Sequence, residues 1–497
     1  VKKDSLWNES PLGDFPPLRG DFSVDVLVVG GGITGITTAY LLKEAGCRVA
    51  VVDQQSIGGG ETAHTTAHLT LVTDARLHEL VKTMGHDAAR AFWEAGLAAI
   101  EQIRALVTAR EIDCDFQDTP GYLFAATDKP EESDSLREDA RLAKEFGFDV
   151  DGGGTDPLFG RPAIRFANQA RFHPLRYLDV LAKAIPGAGS HVFSKTSANG
   201  LDAARHELQT ERGVIRYETL IAATHVPIQG ERGAVGAALF QTKLAAYSTY
   251  AIAAGINDAP DALFWDTRDP YHYWRLGRGD DESAVMILGG EDHKTGQQDN
   301  TEGCYARLEE QLRKKFPRAR VTHRWSGQVI ETPDGLPFIG EIDERQFLAT
   351  GFSGNGMTLG TFAAMLIRDR VIGAANPFAG LFDPHRKQIT SAWTYLRENK
   401  DFPLHFLKER LASPEKLEDV KRTTGAIVKI DGRKRAVYCD EHGKRTILSP
   451  VCPHMGCLVV WNAAEKTWDC PCHGSRFMSS GGLMAGPAES GLEKIDP

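Results

Sequence analysis

Residues 25–53 constrain this chain more than any other stretch. The apolar run DVLVV (25–29) reads as a buried parallel strand leading into Gly30-Gly31-Gly32-Ile33-Thr34-Gly35. The helical pattern ITTAYLLKEAG follows, with Gly46 placed as a helix cap, and then a second apolar strand, RVAVVD, ending at Asp53. The glycines have separate tasks. Gly30 allows the tight turn, Gly32 lets the backbone approach a pyrophosphate at the helix N-terminus, and Gly35 lets the helix pack close to the strand. Asp53, 18 residues past the last glycine, is placed to accept from the ribose hydroxyls of an adenosine. The whole unit predicts an α/β dinucleotide site and leaves NAD and FAD both open.

A later segment separates them. TPDGLPFIG (332–340) precedes FLATGFSGNGMTLGTFAAMLI, which is again strand, glycine-rich turn and helix. Gly354, Asn355 and Gly356 would bring backbone amides and a helix N-terminus against a group that gains negative charge. That suits the N1 and O2 edge of a reduced flavin, and a nicotinamide has no need of it.

With these residues in place, about 22–386 of the chain resembles the glycine oxidase and sarcosine oxidase (DAO) family of FAD-dependent amine oxidoreductases. The motifs are VVGGGITG, GGGETAHTTAHL, ARFHPLRYLDVLAKA around His173, IAATHVPI (221–228), DGLPFIG and GFSGNG. The resemblance implies a Rossmann-like FAD lobe built from about 22–75, 165–235 and 325–386. An interleaved substrate lobe with an antiparallel or mixed sheet would come from about 76–164 and 236–324, the two together filling 1–390. It also implies FAD contacts from Gly30, Gly32, Ile33, Thr34, Gly35, Asp53, Gln54, Thr62, His64, Thr65, Gly354, Asn355, Gly356 and Met357.

The substrate positions depart from the family. Glycine oxidase-type members carry an arginine in GLRPxTxDG, where this chain has GQVIETPDG with Val329 at that position; sarcosine oxidase-type members carry a lysine where Thr358 stands. Without either anchor for an α-carboxylate, the expected substrate is an amine that lacks one, polyamine-like, N-methyl or cyclic, or one held through Arg275 instead. KLAAYSTYAIAA and DPYHYWRL read as strands, and in the second Tyr271, Tyr273 and Arg275 share a face by period-2 alternation. His173, Tyr273 and Arg275 are the pocket candidates, against the competing reading that the aromatics are sheet core.

Four of the eight cysteines crowd into residues 452–472. Cys452-Pro453-His454 and Cys470-Pro471-Cys472-His473 give CxH…CxxH, two thiolates alternating with two imidazoles. This suits a Rieske [2Fe-2S] centre, where the cysteines hold one iron and the histidines the other. Zinc is the competing reading, but zinc fingers pair Cys with Cys and His with His along the chain. From about 416 to 497 the chain resembles respiratory-type Rieske proteins, a small β-domain, through CPHMGC, CPCHGS and the proline loop Gly486-Pro487-Ala488. The resemblance implies a disulfide between Cys457 and Cys472, keeps a hydroxyl for a bridging sulfide at Ser475, and puts Phe477 where the family has a tyrosine. AIVKI and RAVYCD, joined through DGRK, read as the first hairpin of this domain. Residues 391–415 read as a charged helical connector rather than a flexible linker.

Composition limits the partners. A net charge of −10 and a pI near 5.9 disfavour nucleic acid. No stretch reaches the roughly 18 apolar residues of a membrane span, and no signal-like h-region opens the sequence, so a cytoplasmic address is expected.

A flavin takes two electrons and a [2Fe-2S] centre carries one. The expected function is therefore amine C–N oxidation with electrons leaving through the cluster to a ferredoxin, cytochrome or quinone. The competing readings are an O2-using oxidase with a structural or redox-sensing cluster, and an electron-transfer flavoprotein fed by NADH. A Rieske oxygenase is disfavoured because no His/Asp set for a mononuclear iron is evident. His64 lies where dimethylglycine dehydrogenase-type members bond a histidine covalently to the flavin; the competing reading is a non-covalent pocket histidine. Acid precipitation separates the two: a colourless pellet means a non-covalent flavin and a yellow one a covalent bond.

Overall fold

In the computed structural model, strand Phe22–Val29 lies at the centre of a sheet whose order is set by parallel pairing on both of its sides. Residues 1–10, 12–227, 244–279, 283–386 and 414–495 are described. One neighbour of the central strand is Val49–Val52, which in turn pairs with His191–Phe193. The other is Gly213–Ala222, followed by Gln346–Thr350 and the antiparallel edge strand Phe338–Asp343. Val49–Val52 and the second half of the central strand, Val26–Val29, are fully buried, as expected of a parallel sheet covered on both faces. Helix Ile33–Glu44 crosses over between the first two strands, and Gly46 beyond it takes a left-handed φ of 93°. A Cβ at Gly35 would overlap the carbonyl oxygen of Gly30, so this glycine seats the helix on the strand. Helix Gly356–Val371 packs against the first helix through Gly360, where a Cβ would come 2.5 Å from Thr34 Oγ1.

A second, nine-stranded sheet is antiparallel except for the parallel pair Leu263–Asp266 and Gln117–Phe124. Its long strands Ala245–Gly255, Ala284–Lys294 and Arg320–Glu331 form one half, with helix Thr301–Lys315 packed on it. The strands Pro162–Arg171 and Arg320–Glu331 straddle the lobe boundaries expected at 165 and 325, and belong to this sheet along their whole length. His68–Leu69 joins it as well. A ladder cannot be cut in mid-strand without orphaning buried backbone groups, so the chain changes lobe only where these strands end.

The C-terminal domain holds a three-stranded and a four-stranded antiparallel sheet. Its first hairpin joins Thr424–Ile430 to Arg433–Cys439 through Asp431 and Gly432, both at positive φ, the backbone that a two-residue turn between twisted strands requires. Of the expected connector 391–415, only 414 and 415 are among the described residues.

Gly35→Val is expected to yield protein that purifies without FAD, because the added side chain must push the helix N-terminus off its strand. The check is the flavin-to-protein absorbance ratio; a variant retaining stoichiometric flavin would contradict the assignment of Gly35 to helix seating.

Candidate active site and metal centre

A cavity of about 1300 Å³ lies at the carboxyl ends of the parallel strands and reaches the face of the second sheet. Of the expected FAD positions, all line it except Gly35, which lies behind the turn. The turn fits a pyrophosphate. Helix Ile33–Glu44 starts from Gly32, which has no side chain to cap it; the Ile33 amide donates to Thr62 Oγ1 at 3.0 Å, and the N-terminus faces the cavity. Asp53 accepts from the amides of Gly31 (2.8 Å) and Gln55 (2.7 Å) through different oxygens. Each oxygen keeps a second lone pair for a ribose hydroxyl. At the other helix N-terminus the Gly354 amide is already engaged, donating to Asp74 Oδ2 at 2.8 Å. It is therefore not one of the donors expected to face a flavin. The Asn355 side chain is likewise engaged, donating to the carbonyl of Val72 at 2.9 Å.

Of the three pocket candidates, only Tyr273 lines the cavity. Its hydroxyl shares a hydrogen bond of 2.7 Å with Thr249. His173 instead caps helix Pro174–Ala184, with Nδ1 accepting from the Arg176 amide, and its ring meets Trp7 edge-on at 5.0 Å. Arg275, 1% exposed, donates to the carbonyls of Ala67 (2.7 Å) and Phe172 (3.4 Å) and lies over the Trp7 ring. Period-2 alternation put Arg275 on the side of Tyr273. The guanidinium then turns away from the cavity because backbone carbonyls in the wall behind it offer the acceptors that a buried cation needs. It is not a substrate anchor.

The residues that sequence reasoning missed are acidic. Asp74 and Asp292 both line the cavity. Asp74 also accepts from Tyr271 Oη at 2.6 Å, and burial raises its pKa. Burial pushes the Asp292 carboxyl up to about 7, with Asp74 adding to the effect. Among the described lining residues the guanidiniums are Arg76, bonded to Asp139, and Arg268, held by Asp266 and His272, and none is a lysine. Val329 lines it where the resemblance expects an arginine, whereas Thr358, at the lysine position, is buried in its helix. No motif marks Asp74 or Asp292, since each stands alone in its own segment.

His64 lines the cavity with Nδ1 bonded to the carbonyl of Gly60 at 2.9 Å. His68 and His225 line it too, and burial lowers both pKa values.

In the C-terminal domain the CxH…CxxH residues converge. Cys452 and Cys470 are free, buried and hydrogen-bonded to each other. The rings of His454 and His473 lie 4.9 Å apart at 86°. Burial lowers both imidazoles, keeping them in the neutral form that binds metal. Cys457 and Cys472 form a disulfide between the two loops. Two free thiols beside two neutral imidazoles fit the donor set of a Rieske cluster. Ser475 hydrogen-bonds toward Cys452 and accepts from the Ala488 amide of the proline loop, while Phe477 is fully buried. The loop 470–475 is docked on the second sheet: Gln328 Nε2 donates to the Gly474 carbonyl at 2.8 Å and Gln297 Nε2 to that of Pro471 at 3.0 Å. Residues 483–489 of this domain line the flavin cavity.

The raised Asp292 carboxyl has a consequence for stability. Between its ordinary 3.8 and about 7 the folded chain binds a proton that the unfolded chain has released, so stability falls as pH rises through that window. Asp292→Asn, without ligand, should melt higher than the parent at pH 8 and lose that advantage near pH 4. Thermal melts at the two pH values check this, and a pH-independent difference would remove Asp292 as the cause.

The comparisons with known proteins follow the same division. Residues 25–370 match the family of FAD dependent oxidoreductases and residues 414–496 the Rieske [2Fe-2S] domain. The chain is 32% identical to the putative Rieske 2Fe-2S iron-sulfur protein YhfW of Bacillus subtilis, across 99% of this chain and 97% of the relative. It is 24% identical to gamma-glutamylputrescine oxidoreductase of Escherichia coli, across 73% of this chain and 87% of that one. Among solved structures, glycine oxidase from Geobacillus kaustophilus superposes with a TM-score of 0.59 at 20% identity, covering 74% of this chain and 99% of its own. The glycine cradle, the two sheets and the cysteine–histidine loops thus agree with the matches: the chain belongs to the FAD dependent oxidoreductase family and carries a Rieske [2Fe-2S] domain at its C-terminal end.

Proposed function

We propose that the protein oxidises a cationic amine that lacks an α-carboxylate and passes the electrons through its cluster to a one-electron acceptor. The observation that carries this reading is the charge of the substrate end of the cavity. Asp74 and Asp292 face it, and the guanidiniums among the described lining residues are already paired. An α-carboxylate entering this wall would meet two carboxyl groups and, among the described lining residues, no unpaired guanidinium or lysine to offset its charge. An ammonium would meet carboxylates whose own pKa values it lowers. Of the relatives, gamma-glutamylputrescine oxidoreductase is named for a compound whose putrescine end is an amine with no carboxylate on the adjacent carbon.

When bound, FAD takes two electrons and a hydrogen from the carbon beside the nitrogen, and the [2Fe-2S] centre carries electrons singly. The chain's own residues have three tasks in this reading. Gly32 and the glycine turn hold the pyrophosphate, and Tyr271 keeps Asp74 in place through its hydroxyl. Asp292, raised to about 7 by burial before an amine is bound, accepts the proton of the entering ammonium, so that the amine presents the free base from which oxidation proceeds. Water then hydrolyses the imine product. The wall formed by residues 483–489 puts the Rieske domain at the same cavity, which favours delivery to the cluster.

Anaerobic addition of a diamine or N-methyl amine should bleach the flavin and bring up the EPR signal of a reduced Rieske cluster. Bleaching with a cluster that stays oxidised would end the relay, and efficient turnover of glycine, sarcosine or D-alanine would end the substrate assignment. Asp292→Asn should raise KM for the amine about tenfold, the loss of roughly one charge-assisted hydrogen bond, and remove the limb near neutrality from the kcat/KM profile. An unchanged profile would take Asp292 out of the proton step.

A further inference from the structure

We propose that Gln328 and Gln297 are positioning residues that clamp the cluster loop 470–475 to the flavin cavity of the same chain, so that the cluster is reduced by the flavin of its own chain. The proposal rests on the relay described above and adds its route and its geometry.

Gln328 lies on strand Arg320–Glu331, lines the cavity and is 2% exposed. Three of its bonds fix it from different elements. Its amide donates to Glu61 Oε2 at 2.6 Å, and its side-chain nitrogen donates both to Thr295 Oγ1 at 3.1 Å and to the Gly474 carbonyl at 2.8 Å. Gly474 adjoins the ligand His473, and its own amide bonds back to the carbonyl of the ligand Cys470 at 2.9 Å. The carbonyl that Gln328 holds therefore belongs to the turn that carries two of the four cluster ligands. Gln297 grips the same turn one residue after Cys470, at the Pro471 carbonyl.

Steric fit supports the clamp. A Cβ at Gly296 would come 2.8 Å from the Pro471 nitrogen, and one at Gly474 would overlap Ala246. Behind them, the buried Arg476 is paired with Asp469 and donates to Ser326 Oγ at 3.4 Å. On the cavity side Gln328 neighbours His225, whose imidazole its amide influences. His225 Nε2 and Gln328 Oε1 are both buried, and the Gln328 side chain, hydrogen-bonding to the imidazole, works against the lowering effect of burial. His225 also sits at φ 67°, a left-handed backbone that a non-glycine residue keeps only where its surroundings enforce it. A left-handed backbone and a buried imidazole–carboxamide pair thus occur where the cavity wall meets the clamp.

The electron count is simple. The flavin, reduced by two electrons, is the reductant. Each electron that crosses takes the cluster from its ferric–ferric to its ferric–ferrous state, the flavin's protons pass to solvent, and the cluster hands each electron to the external one-electron acceptor before taking the next.

The test uses the holoenzyme and drives flavin reduction by light with EDTA as donor, so that its outcome does not depend on whether an amine is the substrate. In the parent protein the cluster should be reduced at a rate independent of protein concentration. In Gln328→Leu and in Gln297→Ala that rate should fall about tenfold, with flavin and iron contents unchanged. Hydrogen–deuterium exchange over residues 470–476 should rise by a similar factor, about tenfold, in both variants. Co-expressed chains, one carrying Gly35→Val and the other Cys452→Ser, should show no cluster reduction. Transfer at the parent rate in both single variants would overturn the clamp, as would unchanged exchange or loss of a cofactor from both. A rate that scales with concentration, or cluster reduction in the mixed pair, would overturn transfer within one chain.

Discussion

Of the described glycines, Gly35 leaves the least room for a side chain, because a Cβ there would fall on the Gly30 carbonyl oxygen, and the arrangement of the cavity depends on it. With hydrogen alone at Gly35, helix Ile33–Glu44 starts directly over the end of its strand and leaves its first amides facing the cavity. The same helix presents Thr34 to Gly360, which seats helix Gly356–Val371 and brings a second N-terminus to the cavity. Two helix N-termini make the cofactor end positive. The Asp74 carboxyl lies against the second of these N-termini, bonded to the Gly354 amide, and Asp292 lines the same cavity. One cavity thus presents both a helix N-terminus left to a dinucleotide and a pair of carboxyl groups suited to a cation.

The parts of this design that are local in sequence could be read from it. The glycine turn is a contiguous strand, turn and helix, and each glycine is required by a contact with a near neighbour in the chain. The residues proposed to hold the cluster come as two short CxH and CxxH loops, a spacing that suits a Rieske centre, so Cys452, His454, Cys470 and His473 stand out without any fold. The substrate wall is different. Asp74 follows the short strand His68–Leu69, and Asp292 lies on Ala284–Lys294, more than two hundred residues away. Neither has a local partner that makes its type necessary, and only the pairing of the second sheet with the helix N-terminus brings them to one space. Arg275 shows the converse error. Alternation along a strand gives the side a residue starts on. The end of a long side chain goes where buried acceptors are, here the carbonyls of Ala67 and Phe172.

The Val329 position connects the two kinds of information. Its departure from the family arginine is visible in the sequence, and in the structure it belongs to the same strand as Gln328. Removing a cation from that strand leaves a wall that no longer attracts a carboxylate. One residue earlier, the strand turns an amide toward the Rieske domain and holds a carbonyl of its second loop. Substrate wall and domain interface are thus adjacent positions of one β-strand, and a shift of its register by one residue would exchange them.

That adjacency bears on why the two domains share a chain. A cluster on a separate protein would have to find the cavity by diffusion at every electron. Tethering alone raises its effective concentration to the millimolar range but leaves orientation to chance. Docking through two side-chain hydrogen bonds, a buried arginine and glycine-sized gaps removes the search as well. It also makes the two sides of the centre unequal. The loop 470–475 is covered by the second sheet, whereas Val451 and Met455, beside Cys452 and His454, are 43% and 48% exposed. A centre held on one side and accessible on the other can receive from within the chain while a partner approaches from outside. A converter from paired to single electrons needs such asymmetry, because its two exchanges follow each other at the same cluster and must not compete for the same surface.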